Sequence, residues 1–186
     1  DLGNWSELVQ LYSQIYFITK DDNLLNQMQE VGISTDNIDI LIRYLEEIYN
    51  KDDSQHALNI LVGITFDYDS ILCEKYLLEL LDLNSNDFEL NVLLAQLYFN
   101  NSKYNLSINI LEKISENFDS IELYKLMLLI YRKLNNSMMQ IEVCNHMIKN
   151  YPNNKFGYDA LILLYINEKE YDKAMEIITT VKKYFP

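Results

Sequence analysis

Apolar residues return at three- and four-residue spacing along nearly the whole chain, as in Leu123, Leu126, Met127, Ile130 and Leu134, and again in Leu161, Leu164 and Tyr165. That spacing lays an apolar stripe along an α-helix, and no alternating apolar and polar stretch is long enough to compete as a strand. Short polar breaks separate the stripes: Asp21-Asp22-Asn23, Asp52-Asp53-Ser54, Asn84-Ser85-Asn86, Asn100-Asn101-Ser102, Asn135-Asn136-Ser137 and Asn153-Asn154. Their side chains can accept hydrogen bonds from the free N–H groups of the next helix, so they read as N-caps. Both prolines, Pro152 and Pro186, fall where a helix must stop. The pattern predicts an all-α chain of eleven helices, over 4–19, 22–32, 36–50, 54–66, 69–82, 86–100, 103–117, 120–134, 137–150, 154–167 and 170–184.

The stripes also repeat. Tyr158, Leu161, Tyr165, Ala174 and Pro186 mark one copy, and Tyr124, Met127, Tyr131 and Pro152 mark the copy before it. The differences 158−124, 165−131 and 186−152 are all 34. A third copy carries Leu94, Ala95, Tyr98, Tyr104 and Ser107, with 131−98 = 33. Two earlier copies keep the phase without the aromatic marks: Ala57, Ile60, Leu61 and Ile64 with Cys73, Leu77 and Leu80, and before them Leu25, Met28 and Gly32 with Leu41, Leu45 and Ile48. Gly3-Asn4-Trp5 followed by Leu8, Tyr12 and Ile15 matches the second half of a further repeat. Aromatic, Leu, small residue, Tyr, then Ala and a final Pro at this period resembles the tetratricopeptide repeat, a helix-turn-helix unit. The resemblance implies a single α-solenoid of antiparallel helix pairs wound as a right-handed superhelix over residues 1–186. Its parts would be 1–20 as the second helix of a truncated repeat and 22–53, 54–86, 87–119, 120–153 and 154–186 as five repeats. Starting within a repeat and ending on a repeat-final proline, the chain is expected to be a piece of a longer array.

Composition adds a core and a charge asymmetry. With 49% hydrophobic residues the chain can bury a continuous core, which in a repeat array is strung along the stack. No run of about 18 apolar residues is present to insert in a membrane. Residues 1–123 hold 6 Lys/Arg against 22 Asp/Glu, a net −16, and residues 124–186 hold 9 against 6, a net +3. A body this acidic argues against nucleic acid, which needs clustered cations. The acids either solvate an exposed surface or face a partner's basic or amphipathic segment.

Groupings that could carry catalysis, a cofactor or a metal are missing from the pattern. His56 and His146 lie in separate repeats with no ligand motif beside them, and both read as partly exposed helix residues. Cys73 and Cys144 (144−73 = 71) fall on second-helix core positions and read as small buried apolar residues. Asp67-Tyr68-Asp69 lacks the glycine and distal Glu of a calcium loop, and Asp69 is explained as a helix cap. The expectation is no enzyme, no cofactor and no metal.

What remains is recognition. Arrays of the tetratricopeptide type line a concave groove with their first helices, and carrying those positions onto this chain names Val62, Phe66, Val92, Gln96, Phe99, Lys125, Leu129, Arg132, Leu163 and Ile166 as partner-binding. Phe66, Phe99 and Leu129 would be its centre, and the same transfer places Phe156 and Asp159 on the groove. The family's Lys and Asn clamp for a C-terminal carboxylate is not matched, since Val92, Gln96 and Phe99 stand on the helix before Lys125 and Arg132. Apolar groove positions mean either an open ligand surface or side chains packed against the next repeat. Accordingly two functions stay open: a scaffold that takes a protein or peptide segment in its groove, and an assembly subunit of an envelope, secretion or motility complex that makes contact through its ends or convex face.

Overall fold

The computed structural model describes residues 5–185, with Tyr184 described for its backbone alone. Gly3 and Asn4 of the opening turn, and the repeat mark Pro186, lie outside the described residues. Among the described residues there are eleven α-helices and no strand: α1 Trp5–Thr19, α2 Asn23–Ser34, α3 Ile38–Asp52, α4 Gln55–Thr65, α5 Ser70–Leu83, α6 Phe88–Asn100, α7 Tyr104–Ser115, α8 Ile121–Lys133, α9 Ser137–Asn150, α10 Lys155–Asn167 and α11 Tyr171–Tyr184. Described helix ends fall within two residues of the expected ones.

The polar breaks start helices as their chemistry predicts. Ser54 accepts a hydrogen bond from the Ala57 N–H at 3.2 Å, Asn136 from Met139 at 3.1 Å and Asn154 from Phe156 at 3.0 Å. Asp69 caps α5 through the N–H groups of Ile71 and Leu72 at 2.9 and 3.1 Å. Each such cap contributes about 1 kcal/mol relative to alanine. The break at 100–102 behaves differently, because Lys103 precedes α7 without a side-chain cap and Ser102 instead takes a left-handed backbone, φ 59°. Asp36, Asn135 and Lys169 do the same at the corresponding turns, with φ of 54°, 52° and 63°. One residue further on, the N–H groups of Asn37, Lys103, Asn136 and Glu170 reach back to the carbonyls of Gly32, Tyr98, Tyr131 and Tyr165 at 2.8 to 3.0 Å. Those long backward bonds close the helix C-termini as Schellman turns, so the repeat is visible in the backbone as well as in the side chains.

Two compact units divide the chain, residues 1–90 and 91–186, with the boundary inside α6. In the first, α1 packs on α2 and α3, α2 on α3 and α4, α3 on α4, and α4 on α5. Packing onto both the next helix and the one after is the mark of stacked hairpins. Its core holds Val9, Leu25, Met28, Leu41, Leu45, Ile48, Leu58, Leu61, Cys73 and Leu77, all fully buried. Each of the larger aliphatic side chains contributes roughly 1.5–3 kcal/mol on burial. Gly32 belongs to this close packing: a Cβ there would stand 2.6 Å from Leu41 Cδ2 and 2.9 Å from Leu41 Cβ. Tyr76, also fully buried, sends its hydroxyl to Glu46 Oε1 at 2.6 Å.

In the second unit the helices pack in sequence, α7 on α8, α8 on α9, α9 on α10 and α10 on α11. Leu97, Leu111, Leu123, Ile130, Tyr131, Cys144, Met147 and Leu161 form its interior. Buried Ser107 donates to the Ala95 carbonyl at 2.6 Å and so ties α7 to α6 at the two small-residue positions of that repeat. Tyr131 is hydrogen-bonded to Glu112, linking α8 to α7. Asp119, on the loop between those helices, lies near Tyr124, Tyr151 and His146, whose Nε2 is 3.5 Å from Asp119 Oδ1. Partial desolvation raises the Asp119 carboxyl, but polar interaction with Tyr124, His146 and Tyr151 outweighs it and holds the group below its ordinary value.

Candidate functional site: a cleft between α8 and α10

The second unit carries an open cleft of about 720 Å³. One wall is α8, which presents Lys125, Leu129 and Arg132 at positions i, i+4 and i+7, a single stripe of a helix. The other is α10, with Phe156, Asp159, Ala160, Leu163 and Asn167. Leu128, Leu164 and Cys144 lie deeper, and Asn135, Ser137, Gln140 and Glu168 close the far end. Leu129 and Leu163 are 50% and 61% exposed, so the apolar lining faces solvent and is not packed shut.

Two contacts fix how the walls run. Lys125 Nζ, from the second turn of α8, lies 5.5 Å from the centre of the Phe156 ring in the first turn of α10. Past the end of α8, Ser137 Oγ donates to Glu168 Oε1 at 2.6 Å, just beyond the end of α10. The offsets agree, 156−125 = 31 and 168−137 = 31, so α8 and α10 run side by side in the same direction.

The charges divide into those already satisfied and those left over. Lys125 pairs with Glu122 at 2.8 Å and sits over Phe156, and Glu168 is held by Ser137. Neither Arg132 nor Asp159 takes part in an ion pair among the described residues. The floor offers no nucleophile: Cys144 is 1% exposed, and burial pushes its thiol up to about 12, so the sulfur stays neutral and unreactive. Elsewhere His56 Nε2 contacts Asn26 Oδ1 at 2.9 Å, and His146 stands 3.5 Å from Asp119. Among the described residues no group of three His, Cys, Asp or Glu could hold a metal, and no helix is long and apolar enough to cross a membrane.

The ten groove positions named from the sequence are not gathered in one place. Lys125, Leu129, Arg132 and Leu163 line the cleft together. Ile166 is exposed on α10 but is not part of the lining. On α6, Val92 is half-buried, Gln96 is exposed, and Phe99 is half-buried with its ring centre 5.6 Å from that of Tyr104; none of the three lines the cleft. Val62 and Phe66 belong to the other unit. Val62 is 4% exposed and is a core residue, because α4 is apolar on almost every side and packs on α2, α3 and α5. Phe66 is half-buried at the C-cap of α4. Sequence reasoning missed Asn135, Ser137, Gln140, Asn167 and Glu168, which enter from the turn, from α9 and from the end of α10. The signal for the first two was the polar break itself, which was read as a cap alone.

The fold is that of a tetratricopeptide-type helical-repeat array. Crystallised MamA superposes with a TM-score of 0.66 at 17% sequence identity, covering 84% of this chain and 94% of that one. MamA from Desulfovibrio magneticus RS-1, residue 41 to its end, gives 0.64 at 16% identity over 88% and 94% of the two chains. A tetratricopeptide repeat protein from Parabacteroides merdae ATCC 43184 gives 0.60 at 14% identity over 98% and 80%. No protein-family profile matches the sequence, and no curated protein matches it.

Proposed function

We propose that the chain is a non-catalytic protein-interaction scaffold, and that the cleft between α8 and α10 receives an amphipathic helical segment of a partner protein. The observation that carries this reading is the exposure of Leu129 and Leu163 on facing walls of one open cleft with charged side chains beside them. An apolar floor with a few fixed polar groups suits a protein segment, which supplies apolar anchors and oriented polar partners together. The walls are about ten residues long from Lys125 to Asn135, roughly 15 Å at 1.5 Å per residue, which matches about three turns of a docked helix. The resemblance in fold to tetratricopeptide arrays supports the same reading.

The test is capture from the native cell extract by the whole chain and by a Leu129→Glu/Leu163→Glu variant shown by circular dichroism to keep its helix content. The captured protein is then divided into overlapping synthetic peptides, and each is titrated against both chains. One amphipathic peptide that binds the unaltered chain and not the variant supports the reading. Equal capture and equal peptide affinity for both chains would overturn it and place the contacts on outer helix faces or ends, as an assembly subunit requires. For single substitutions, Leu163→Ala is expected to weaken such a peptide by about 5- to 20-fold, the share of a leucine's burial energy that its present exposure leaves to be gained.

A further inference from the structure

In the first unit, the exposed side of α5 differs in kind from that of α3. On α3 the exposed side chains are Asp39, Arg43, Glu47, Asn50 and Lys51, all polar. On α5 they are Ile71, Lys75, Leu78 and Asp82, at positions i, i+4, i+7 and i+11 of one stripe, followed by Leu83 at the helix end. Ile71 is 80% exposed and Leu78 45%, so two apolar side chains stand in water two helical turns apart, roughly 10 Å. Residues 1–90 hold 4 Lys/Arg against 18 Asp/Glu, 4 − 18 = −14. Most of the few cations are already held: Lys20 pairs with Asp52, Lys51 with Glu47 at 2.6 Å, and Lys75 with Glu46 at 3.5 Å, its Nζ 4.9 Å from the centre of the Tyr76 ring. Arg43 lies over the Tyr44 ring. Tyr68, three residues ahead of Ile71, donates to Asp39 Oδ1 at 2.7 Å and so brings an exposed carboxylate of α3 to the turn before the stripe, while Asp82 closes the other end. Neither Asp39 nor Asp82 takes part in an ion pair among the described residues.

We infer that this face of α5 is a second docking surface, separate from the cleft, and that its occupant is a basic amphipathic helix of a partner protein. A helix laid along α5 repeats the two-turn spacing at its own i and i+7, which sets one apolar anchor on Ile71 and another on Leu78. Lysines or arginines flanking those anchors meet Asp39 and Asp82 in a field that the rest of the unit keeps negative. Carboxylates stand at both ends of the stripe, so a segment docked in either direction meets the same charge. Nucleic acid and anionic lipid would be repelled by that field, and an acidic segment would lose the electrostatic part of its binding.

The probes are two synthetic helices of about fourteen residues with the same leucine stripe, flanked by lysines in one and by glutamates in the other. Each is titrated by fluorescence anisotropy against the whole unaltered chain, Ile71→Ser/Leu78→Ser, Asp39→Asn/Asp82→Asn and, as a control for the cleft, Leu129→Ser/Leu163→Ser. The substituted side chains are exposed, and an asparagine at position 39 still accepts from Tyr68, so the variants are expected to fold; circular dichroism checks this. The lysine helix should bind the unaltered chain at least about tenfold more tightly than the glutamate helix. Its affinity should fall roughly tenfold or more in Ile71→Ser/Leu78→Ser, and roughly two- to fivefold in Asp39→Asn/Asp82→Asn by a margin that shrinks as salt is raised. It should be unchanged in Leu129→Ser/Leu163→Ser. Equal affinity for the unaltered chain and Ile71→Ser/Leu78→Ser would overturn the inference, because net charge alone would then hold the peptide. Loss of binding only in Leu129→Ser/Leu163→Ser would overturn it by moving the peptide to the cleft, and so would no binding of the lysine helix at all. Self-association of the unaltered chain that disappears in Ile71→Ser/Leu78→Ser, measured by sedimentation, would overturn it too, since a second copy would then be the occupant.

Discussion

Two glycines of the first unit receive the same substitution with opposite expected outcomes. Gly63 is an exposed residue inside α4, and a Cβ built there meets nothing within 4 Å. Gly63→Ala therefore changes only the cost of holding the backbone helical, and the gain is up to about 1 kcal/mol. Gly32 is buried in α2, and its added Cβ would lie 2.6 Å from Leu41 Cδ2 and 2.9 Å from Leu41 Cβ. The Cδ2 atom can swing away, but Cβ is fixed to the α3 backbone, so the two helices must separate. Overpacking of this kind costs about 1–3 kcal/mol, which exceeds the helix-propensity gain of about 1 kcal/mol and leaves a net loss on the order of 1 kcal/mol. Both glycines belong to the unit of residues 1–90, so one unfolding transition reports on both. In urea, with a slope of about 2 kcal/mol per M, the two midpoints should lie about 1 M apart, Gly63→Ala above the unaltered chain and Gly32→Ala below it. A Gly32→Ala chain as stable as Gly63→Ala would refute the close approach of α2 to α3.

The remaining predictions concern the second unit. Asp119 has its carboxyl held below the ordinary range in the folded chain, so the stability it contributes is present above the unfolded value of about 3.9 and is lost as pH falls through the lower folded value. Chemical denaturation of the unaltered chain and of Asp119→Asn should therefore differ at pH 6 and converge as pH falls through the lowered folded value, and a gap that widens on acidification would contradict the stabilisation of the carboxylate by Tyr124, His146 and Tyr151. Asn136→Ala should lower stability by about 1 kcal/mol through loss of the bond to the Met139 N–H, whereas Asn136→Ser or Asn136→Asp should retain most of it. Equal losses in all three would show that the side-chain cap is not the cause.

Much of this fold is legible in the residues, and the reasons differ by element. The helices follow from apolar spacing, and their starts from Ser54, Asp69, Asn136 and Asn154, because a capping oxygen acts locally on the next turn. Cys73 and Cys144 are buried, as their place on second-helix stripes implies. The left-handed turns were not legible, since Ser102 and Lys169 take a backbone that glycine usually marks; the backward hydrogen bonds from Lys103 and Glu170 hold them there. Val62 shows a different limit. A position that lines a groove in one repeat is core in another when its helix is covered on several sides, and the run Ala57-Leu58-Asn59-Ile60-Leu61-Val62-Gly63-Ile64 already lacked the polar face of a surface helix. At the cleft, Leu129 and Leu163 could be named from their place in the repeat. Their joint exposure depends on the distance between α8 and α10, which no local pattern encodes.

The measurement closest to the central claim is site-specific photo-crosslinking in the presence of the captured partner. A benzophenone side chain is placed at Leu163 in the cleft, and in a second chain at Asn145, exposed on α9 outside the cleft lining. Scaffold binding in the cleft predicts an adduct from position 163 that maps to one amphipathic segment of the partner, and none from position 145. An adduct from position 145 with none from 163 would contradict it.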